Sequence, residues 1–506
     1  MTEDSFEFHE ATIDILQKEM QSGRHTAYSI AERYLARIEN LDKQGPSLRA
    51  VIELNPDALM TAGSLDRERR ERGPRGPLHG IPVLIKDNID TADRMASTAG
   101  SLTLKDSAAL RDAFLIQQLR TAGAVILGKA NLSEWANFRS THSVSGWSAR
   151  GGQTRNPYAL DRNPCGSSSG SAVAVASNLC AVAVGTETDG SIVCPSAVNG
   201  IVGIKPTLGL ISRNGVIPIG HSQDTPGPMA RTVRDATLLL NALVGIDPRD
   251  PATRDMPATS EQDYTKYLDP LGLRGARLGI ARKFFGANAA VDKLMDDCIT
   301  EMKRQGAEIV DPADLPSHKQ YDDSELEVLL YEFKHDLNTY LGSRGDSVQV
   351  KSLADIIAFN EERRNEEMPY FEQDIMIKAE QKGPLTEPAY KEALSRNHRL
   401  SRAEGIDAVV TKHNLDAIVA PTTGPAWVTD WVTGDHDTGS CSTPAAVAGY
   451  PHISVPAGFV HGLPIGISFF GKAWSEPTLL RIAYSFEQVT NARRPPSFLP
   501  TVSFDA

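Results

Sequence analysis

Residues 163–207, NPCGSSSGSAVAVASNLCAVAVGTETDGSIVCPSAVNGIVGIKPT, decide the reading of this chain. Two clusters of glycine and hydroxyl residues, CGSSSGS and TETDGS, flank an apolar segment. That segment reads as a short helix over 171–178 followed by a buried strand over 180–185. Glycine lets backbone N–H groups approach a bound group closely. Serines supply hydroxyls, and a rigid connection can turn the two clusters to face one another. A third element lies upstream, where Lys86 ends the apolar run of GIPVLIKDNID (80–90).

The flanking sequence alternates between helical and strand-like patterns. Residues 11–22 and 27–41 carry apolar positions at helical spacing, with Gly23 as the break. After AVIELNPDA and a charged helix, a strand is predicted at 80–85, and Pro82 suits its start. An amphipathic helix over 107–122, stopped by Gly123, precedes the strand AVILGK. NLSEWANF (131–138) reads as a short helix, and 141–158 as a long polar loop, a length usually tied to function. A helix is predicted at 231–244, a strand at 276–281, and mostly charged helix over 287–402. Strand patterns return at 415–423, 452–457 and 464–471, before a last helix over 476–491. Strands alternating with helices predict a sheet covered by helices. Length alone would suggest about three domains, but glycine and proline never pool into a linker. One large α/β domain is therefore expected: a helical preface (about 1–72), a core (75–240), a helical variable region (287–402) and a closing sheet-and-helix segment (405–506).

The formal net charge is −12, and nucleic-acid binding normally leaves a basic stripe. The one dense basic run, RERRER (67–72), alternates with acids and reads as a solvated helix face. Five scattered cysteines with no CxxC indicate neither disulfides nor a zinc site. No HExxH or similar spacing occurs, and the dispersed histidines, His79 and His221 included, read as structural. No run approaches the length of a membrane-spanning helix, and the acidic amino end has no apolar core of a secretory signal. The expectation is a soluble, cytoplasmic chain, with export of an already processed chain as the alternative, that uses no cofactor, metal, nucleic acid, membrane or obligatory protein partner.

Nucleophilic attack at an acyl group needs a nucleophile, a base and donors for the oxyanion. Ser191 closes TETDGS, and the N–H groups of Thr188, Asp189, Gly190 and Ser191 can form a nest around negative charge. The plain alternative is a turn between strand and helix. CGSSSGS also contains G-x-S-x-G centred on Ser168, but a nucleophile elbow needs a strand directly before it, and DRNPC stands there. For Lys86 the plain alternative is a solvated strand end. Acting as a base near neutrality requires its pKa to fall by ~3 units, about 4 kcal/mol. Burial beside Val83 and Ile85 can supply that, and adjacent Asp87 points to the opposite face of the strand. GIKPT (203–207) is no phosphate loop, because Pro206 stands where Ser or Thr is required.

Lys86, CGSSSGS and TETDGSIVCPS in this order, with NGIVGIKPTLGLIS after them, resemble the amidase signature family across about 75–240. GYPHISVPAGFVHGLPIGISFFG (449–471) resembles its carboxyl-terminal sheet segment. Departures are Cys165, Ser169 and Asp189 where glycine is usual, and Glu187 where Asp is common. Within the family, NLSEWANF, SGWSARGGQTRNPY, TETDGSIVCPS, LLYEFK, SLADIIAFN and VAPTTGPAW resemble the bacterial peptide amidases, which remove the carboxyl-terminal amide of peptides. The resemblance implies a large mixed sheet between helical layers. It further implies Ser191 as nucleophile, Ser167 as a bridging serine after a cis peptide bond, and Lys86 as base. The oxyanion would rest on N–H groups of Thr188, Asp189 and Gly190, with Thr186 and Ser168 in support. The Asp189 side chain is expected to point away. Trp135, Phe138 and Trp427 are candidates, with loop 141–158, for the wall that holds the acyl part of the substrate. Rival readings remain: a general aliphatic or aryl amidase, an inactive binding protein on the same fold, or a glutamine-hydrolysing component of an amidotransferase.

Overall fold

Strands in this chain are short and apolar, and the computed structural model assembles most of them into a single sheet. It describes residues 6–258, 263–345, 348–436 and 438–502, so the first five residues of the acidic amino end lie outside it. In chain order the strands are β1 Val51–Leu54, β2 Pro82–Lys86, β3 Val125–Ala130, β4 Trp147–Ser148, β5 Gly152–Gln153 and β6 Val182–Glu187. They continue as β7 Val202–Lys205, β8 Thr225–Ala230, β9 Arg277–Ile280, β10 Glu308–Val310, β11 Ala417–Pro421, β12 His452–Val460 and β13 Leu463–Phe470. Among the described residues β4 and β5 pair as a small ribbon, and eleven strands form the sheet β1-β3-β2-β6-β8-β7-β12-β13-β11-β9-β10. β3, β2 and β6 run parallel, as do β11, β9 and β10. The strands between them pair antiparallel.

Every residue of β2, β3 and β6 is buried. Strands buried on both faces require cover on both. Apolar residues of the helices Ala27–Arg37, Ser169–Ala176, Val233–Leu243 and Glu476–Thr490 join these strands in one core. Local signals set the helix starts: Thr232, for example, accepts from Asp235 N–H at 3.0 Å, the usual N-cap bond. The expected α/β architecture, a large mixed sheet flanked by helices, is the one observed.

Several local expectations change. The helix read over 107–122 starts only at Phe114, because the Asp112 carboxylate is held by Ala92 N–H and Arg120 outside any helical turn. NLSEWANF is not a right-handed helix: Trp135, Ala136 and Asn137 have φ of 50°, 54° and 69°. Trp135 N–H donates to Ala99 O and Ser133 N–H to Ser167 O, which bends this segment around its neighbours. β8, TPGPMA, carries two prolines that argue against a central strand. Its register with β7 covers only Met229 and Ala230, so Pro226 and Pro228 owe no N–H to that side. The largest correction concerns the cysteines. Cys165 and Cys194 form a disulfide, and the free thiols, Cys180, Cys298 and Cys441, are all buried.

Candidate active site

Two parallel strands deliver the key side chains at their carboxyl ends, where open α/β sheets place their ligands. β2 ends at Lys86, and β6, paired with it through Ile85 and Val184, ends at Glu187 and runs into the loop 188–191. The segment 165–170 crosses beside them and enters the helix Ser169–Ala176. Glycine is obligatory in this crossing. A Cβ on Gly170 would lie 2.3 Å from Ala50 O and 2.5 Å from Asn131 O, and one on Gly166 would lie 2.1 Å from Ser133 Oγ. The Gly166–Ser167 peptide bond is cis.

Lys86 is fully buried. Its Nζ lies 2.8 Å from Ser167 Oγ, 2.8 Å from Thr186 Oγ1 and 3.1 Å from Thr186 O. Among the described residues it makes no ion pair. Burial pushes its pKa down to about 7, against the partial opposition of the Asp224 and Glu187 charges. Asp87 belongs to a different set of contacts, with Thr98, Gly100 N–H and Arg150. Thr186 therefore touches Lys86 directly, and Asn88 Nδ2 donates to the same Thr186 hydroxyl at 3.0 Å. Ser168 acts one step further out. Its hydroxyl exchanges hydrogen bonds with Thr186 O and Thr186 N–H, and its own N–H donates to Ser191 O at 3.1 Å. That bond ties the segment carrying Ser167 to the loop carrying Ser191, and the Cys165–Cys194 disulfide ties them again.

Side chains shape loop 188–191 from several directions. Glu187 Oε2 accepts from Ile192 N–H (2.7 Å) and Val193 N–H (3.0 Å), which starts the helix Val193–Val198. Asp224 accepts from Thr188 Oγ1 at 2.6 Å, Gln223 Nε2 donates to Thr188 O at 3.3 Å, and Thr443 Oγ1 donates to Asp189 at 2.7 Å. Asp189 Oδ2 is thus held by Thr443, while its buried Oδ1 has no hydrogen-bond partner among the described residues, and Gly190 takes φ of +77°. Within the described residues, the backbone N–H groups of Thr188 to Ser191 donate to no protein atom. A run of unspent donors beside a buried amine can hold a developing oxyanion.

The three aromatic candidates do not share one surface. Trp135 and Phe138 pack with the helix Asp322–Ser343, where Phe138 meets Phe333 edge to face at 5.1 Å. The Trp135 indole N–H is buried with no hydrogen-bond partner among the described residues. Trp427 packs near Cys165 and Cys194 and donates from Nε1 to Asp435 at 3.1 Å. Asp435 also accepts from Ser145 N–H and Asn163 Nδ2, so it joins loop 141–158 to the segment before Ser167. Asp224, Gln223, Asp435 and the disulfide have no counterpart in the expectations drawn from sequence. Only Cys165 left a trace there, as a departure inside the first cluster.

The amidase family model matches residues 29–480. A probable amidase of Arabidopsis thaliana is 44% identical over 98% of this chain and 93% of that protein. A putative amidase of Schizosaccharomyces pombe is 38% identical over 98% of this chain and 88% of its own length. Among solved structures, the native peptide amidase from Stenotrophomonas maltophilia superposes with a TM-score of 0.93 at 52% identity, covering 97% of this chain and 99% of that one. The chain belongs to the amidase family and is an amide hydrolase.

Proposed function

We propose that the chain hydrolyses the carboxyl-terminal carboxamide of peptides and releases ammonia. The similarity to a peptide amidase over 97% of the chain carries the substrate class. The contact of Lys86 with Ser167 and Thr186 supports the chemistry. Neutral Lys86 draws a proton through Ser167 from Ser191, whose oxygen attacks the amide carbon. The tetrahedral oxyanion rests on N–H groups of Thr188, Asp189 and Gly190. The proton passes to the departing ammonia, and water then releases the acid from the acyl-enzyme. Ser168 and Thr186 hold the two segments and the amine in place.

A terminal carboxamide has a leaving group no larger than ammonia, so a pocket can close just beyond the scissile bond. An internal bond would have to fit a further residue into that closed end. A peptide amide with an internal asparagine is expected to lose only its terminal amide, read by mass spectrometry. Backbone fragments, or deamidation confined to the asparagine, would count against the assignment. Ammonia release from glutamine that depends on a second protein would favour the amidotransferase reading instead.

The base works only when neutral. Activity is expected to rise with pH through about 7, the value to which burial lowers Lys86. Below that value kcat/KM should fall about tenfold per pH unit. A flat profile between about pH 5 and 7 would remove Lys86 from the role. The expected cytoplasmic residence is not carried forward, because a disulfide such as Cys165–Cys194 forms and persists in oxidising surroundings.

A further inference from the structure

His221 lies between two carboxylates of the helix Asp322–Ser343. Its Nδ1 is 2.8 Å from Asp336 Oδ2, and its Nε2 is 3.4 Å from Glu332 Oε1. The backbone around it uses the same acids. His221 N–H donates to Asp336 Oδ2 at 2.9 Å, and Ser222 donates to Glu332 Oε2 from N–H at 3.0 Å and from Oγ at 2.9 Å. Asp224, on the same loop, closes the turn by accepting from Ile219 and Gly220 N–H with one oxygen. Its other oxygen accepts from Thr188 Oγ1. A continuous set of contacts therefore runs from the variable helix, through residues 219–224, to the first donor of loop 188–191.

A neutral imidazole carries one N–H and can serve only Asp336, whereas the imidazolium adds a second N–H toward Glu332 Oε1 and the Tyr390 hydroxyl, each 3.4 Å from Nε2. We propose that protonated His221 is a positioning residue: it clamps loop 219–224 to the helix Asp322–Ser343 and so holds Thr188 in the oxyanion site. Loss of its proton then sets the alkaline limb of activity. This rests on reading Thr188 N–H as an oxyanion donor.

The charges facing His221 favour the imidazolium on balance. Arg213 donates to the His221 carbonyl, and its charge disfavours the imidazolium. Glu332 and Asp336 face it from the helix, His335 bonds the other Asp336 oxygen, and Tyr390 approaches from the helix Pro388–His398 while donating to Glu332 at 2.7 Å. Arg111, Asp112, Arg249 and Asp250 stand across a cavity of about 800 Å³ that His221, Asp224 and Asp336 also line. The ring is 44% exposed to that cavity, so solvent protons reach it. Burial alone would lower its pKa; the hydrogen bond to Asp336 and the charges of Glu332 and Asp336 outweigh burial and hold it above the ordinary value. The clamp is complete below that raised value and is lost as pH climbs through it. The sign is opposite to that of Lys86, so the two groups bound activity from opposite sides.

The test measures kcat and KM against pH on one peptide amide for the wild type, His221→Gln and His221→Arg. Glutamine is neutral at every pH, so kcat should fall about tenfold or more near neutrality with little change in KM. Arginine keeps its charge throughout. It should restore most of kcat and move the alkaline limb up by about one pH unit or more. A packing role alone would lower rates without moving the limb. An alkaline limb identical in wild type and His221→Arg, or a wild-type profile in His221→Gln, overturns the proposal. Should neither variant fold, Asp336→Asn weakens the same clamp and must move the limb down. A wild-type chain that turns over no peptide amide would refute the proposed function and is a separate outcome.

Discussion

Replacing Lys86 with methionine is expected to lower kcat by about 10⁴-fold or more, and replacing Ser191 with alanine by about 10⁶-fold, the scale seen when serine hydrolases lose base or nucleophile. Methionine is chosen for a physical reason. Lys86 is fully buried, and among the described residues its amine bonds only to Ser167 and Thr186. A chain of similar volume refills the space and leaves no buried charge unpaired, because no carboxylate pairs with the amine. The fold should survive, and thermal unfolding can verify that directly. A fluorophosphonate should label the wild type at Ser191, label Lys86→Met far more slowly, and leave Ser191→Ala untouched. A folded Lys86→Met chain within about tenfold of wild-type turnover would sink the base assignment.

What the sequence made legible follows from how local each feature is. β2, β3 and β6 are short apolar runs bounded by polar residues, and their observed spans overlap the runs read from sequence with small shifts at the ends. The glycines of CGSSSGS read as allowing close approach to a bound group, and in the structure Gly170 allows close approach of other backbone, with no room for a methyl group against Ala50 and Asn131. The segment NLSEWANF has helical composition, yet its bonds to Ala99 and Ser167 impose left-handed backbone at Trp135, Ala136 and Asn137. Those contacts are long-range, and composition does not encode them. The same holds for β8, whose prolines fit only because β7 pairs along a short part of it.

The candidate site divides in the same way. Lys86, Ser167 and Ser191 sit in motifs with recognisable residue types. The groups that set loop 188–191 do not. Asp224, Gln223 and Thr443 reach Thr188 and Asp189 from remote segments, and each looks like an ordinary polar loop residue in sequence. Asp189 poses a problem in sequence, since a carboxylate beside an oxyanion would oppose catalysis. Thr443 donates to one oxygen of that carboxylate, and burial pushes its pKa up, toward the neutral form. Burial thus moderates the charge of the aspartate that stands where glycine is usual, while the Thr443 hydrogen bond favours its ionised form.

Removing the Cys165–Cys194 disulfide is expected to weaken both stability and turnover. The cysteines are 29 residues apart, and closing a loop of that length is worth about 3 to 4 kcal/mol in the chain-entropy description. Their placement ties this to function. Cys165 lies two residues before Ser167, and Cys194 three residues after Ser191. The Ser168 N–H to Ser191 O bond joins the same two segments beside the serines. Cys165→Ser with Cys194→Ser should lower the unfolding temperature and reduce kcat more than it raises KM, because the lost constraint positions the reacting groups. Alkylation of the denatured chain provides an independent check. Without reductant three cysteines should react, Cys180, Cys298 and Cys441, and after reduction all five. Five reactive thiols without reductant would mean that the bond does not form. A double variant with wild-type stability and turnover would mean that the bond forms but does not matter, and that the Ser168 contact suffices to hold the two loops together.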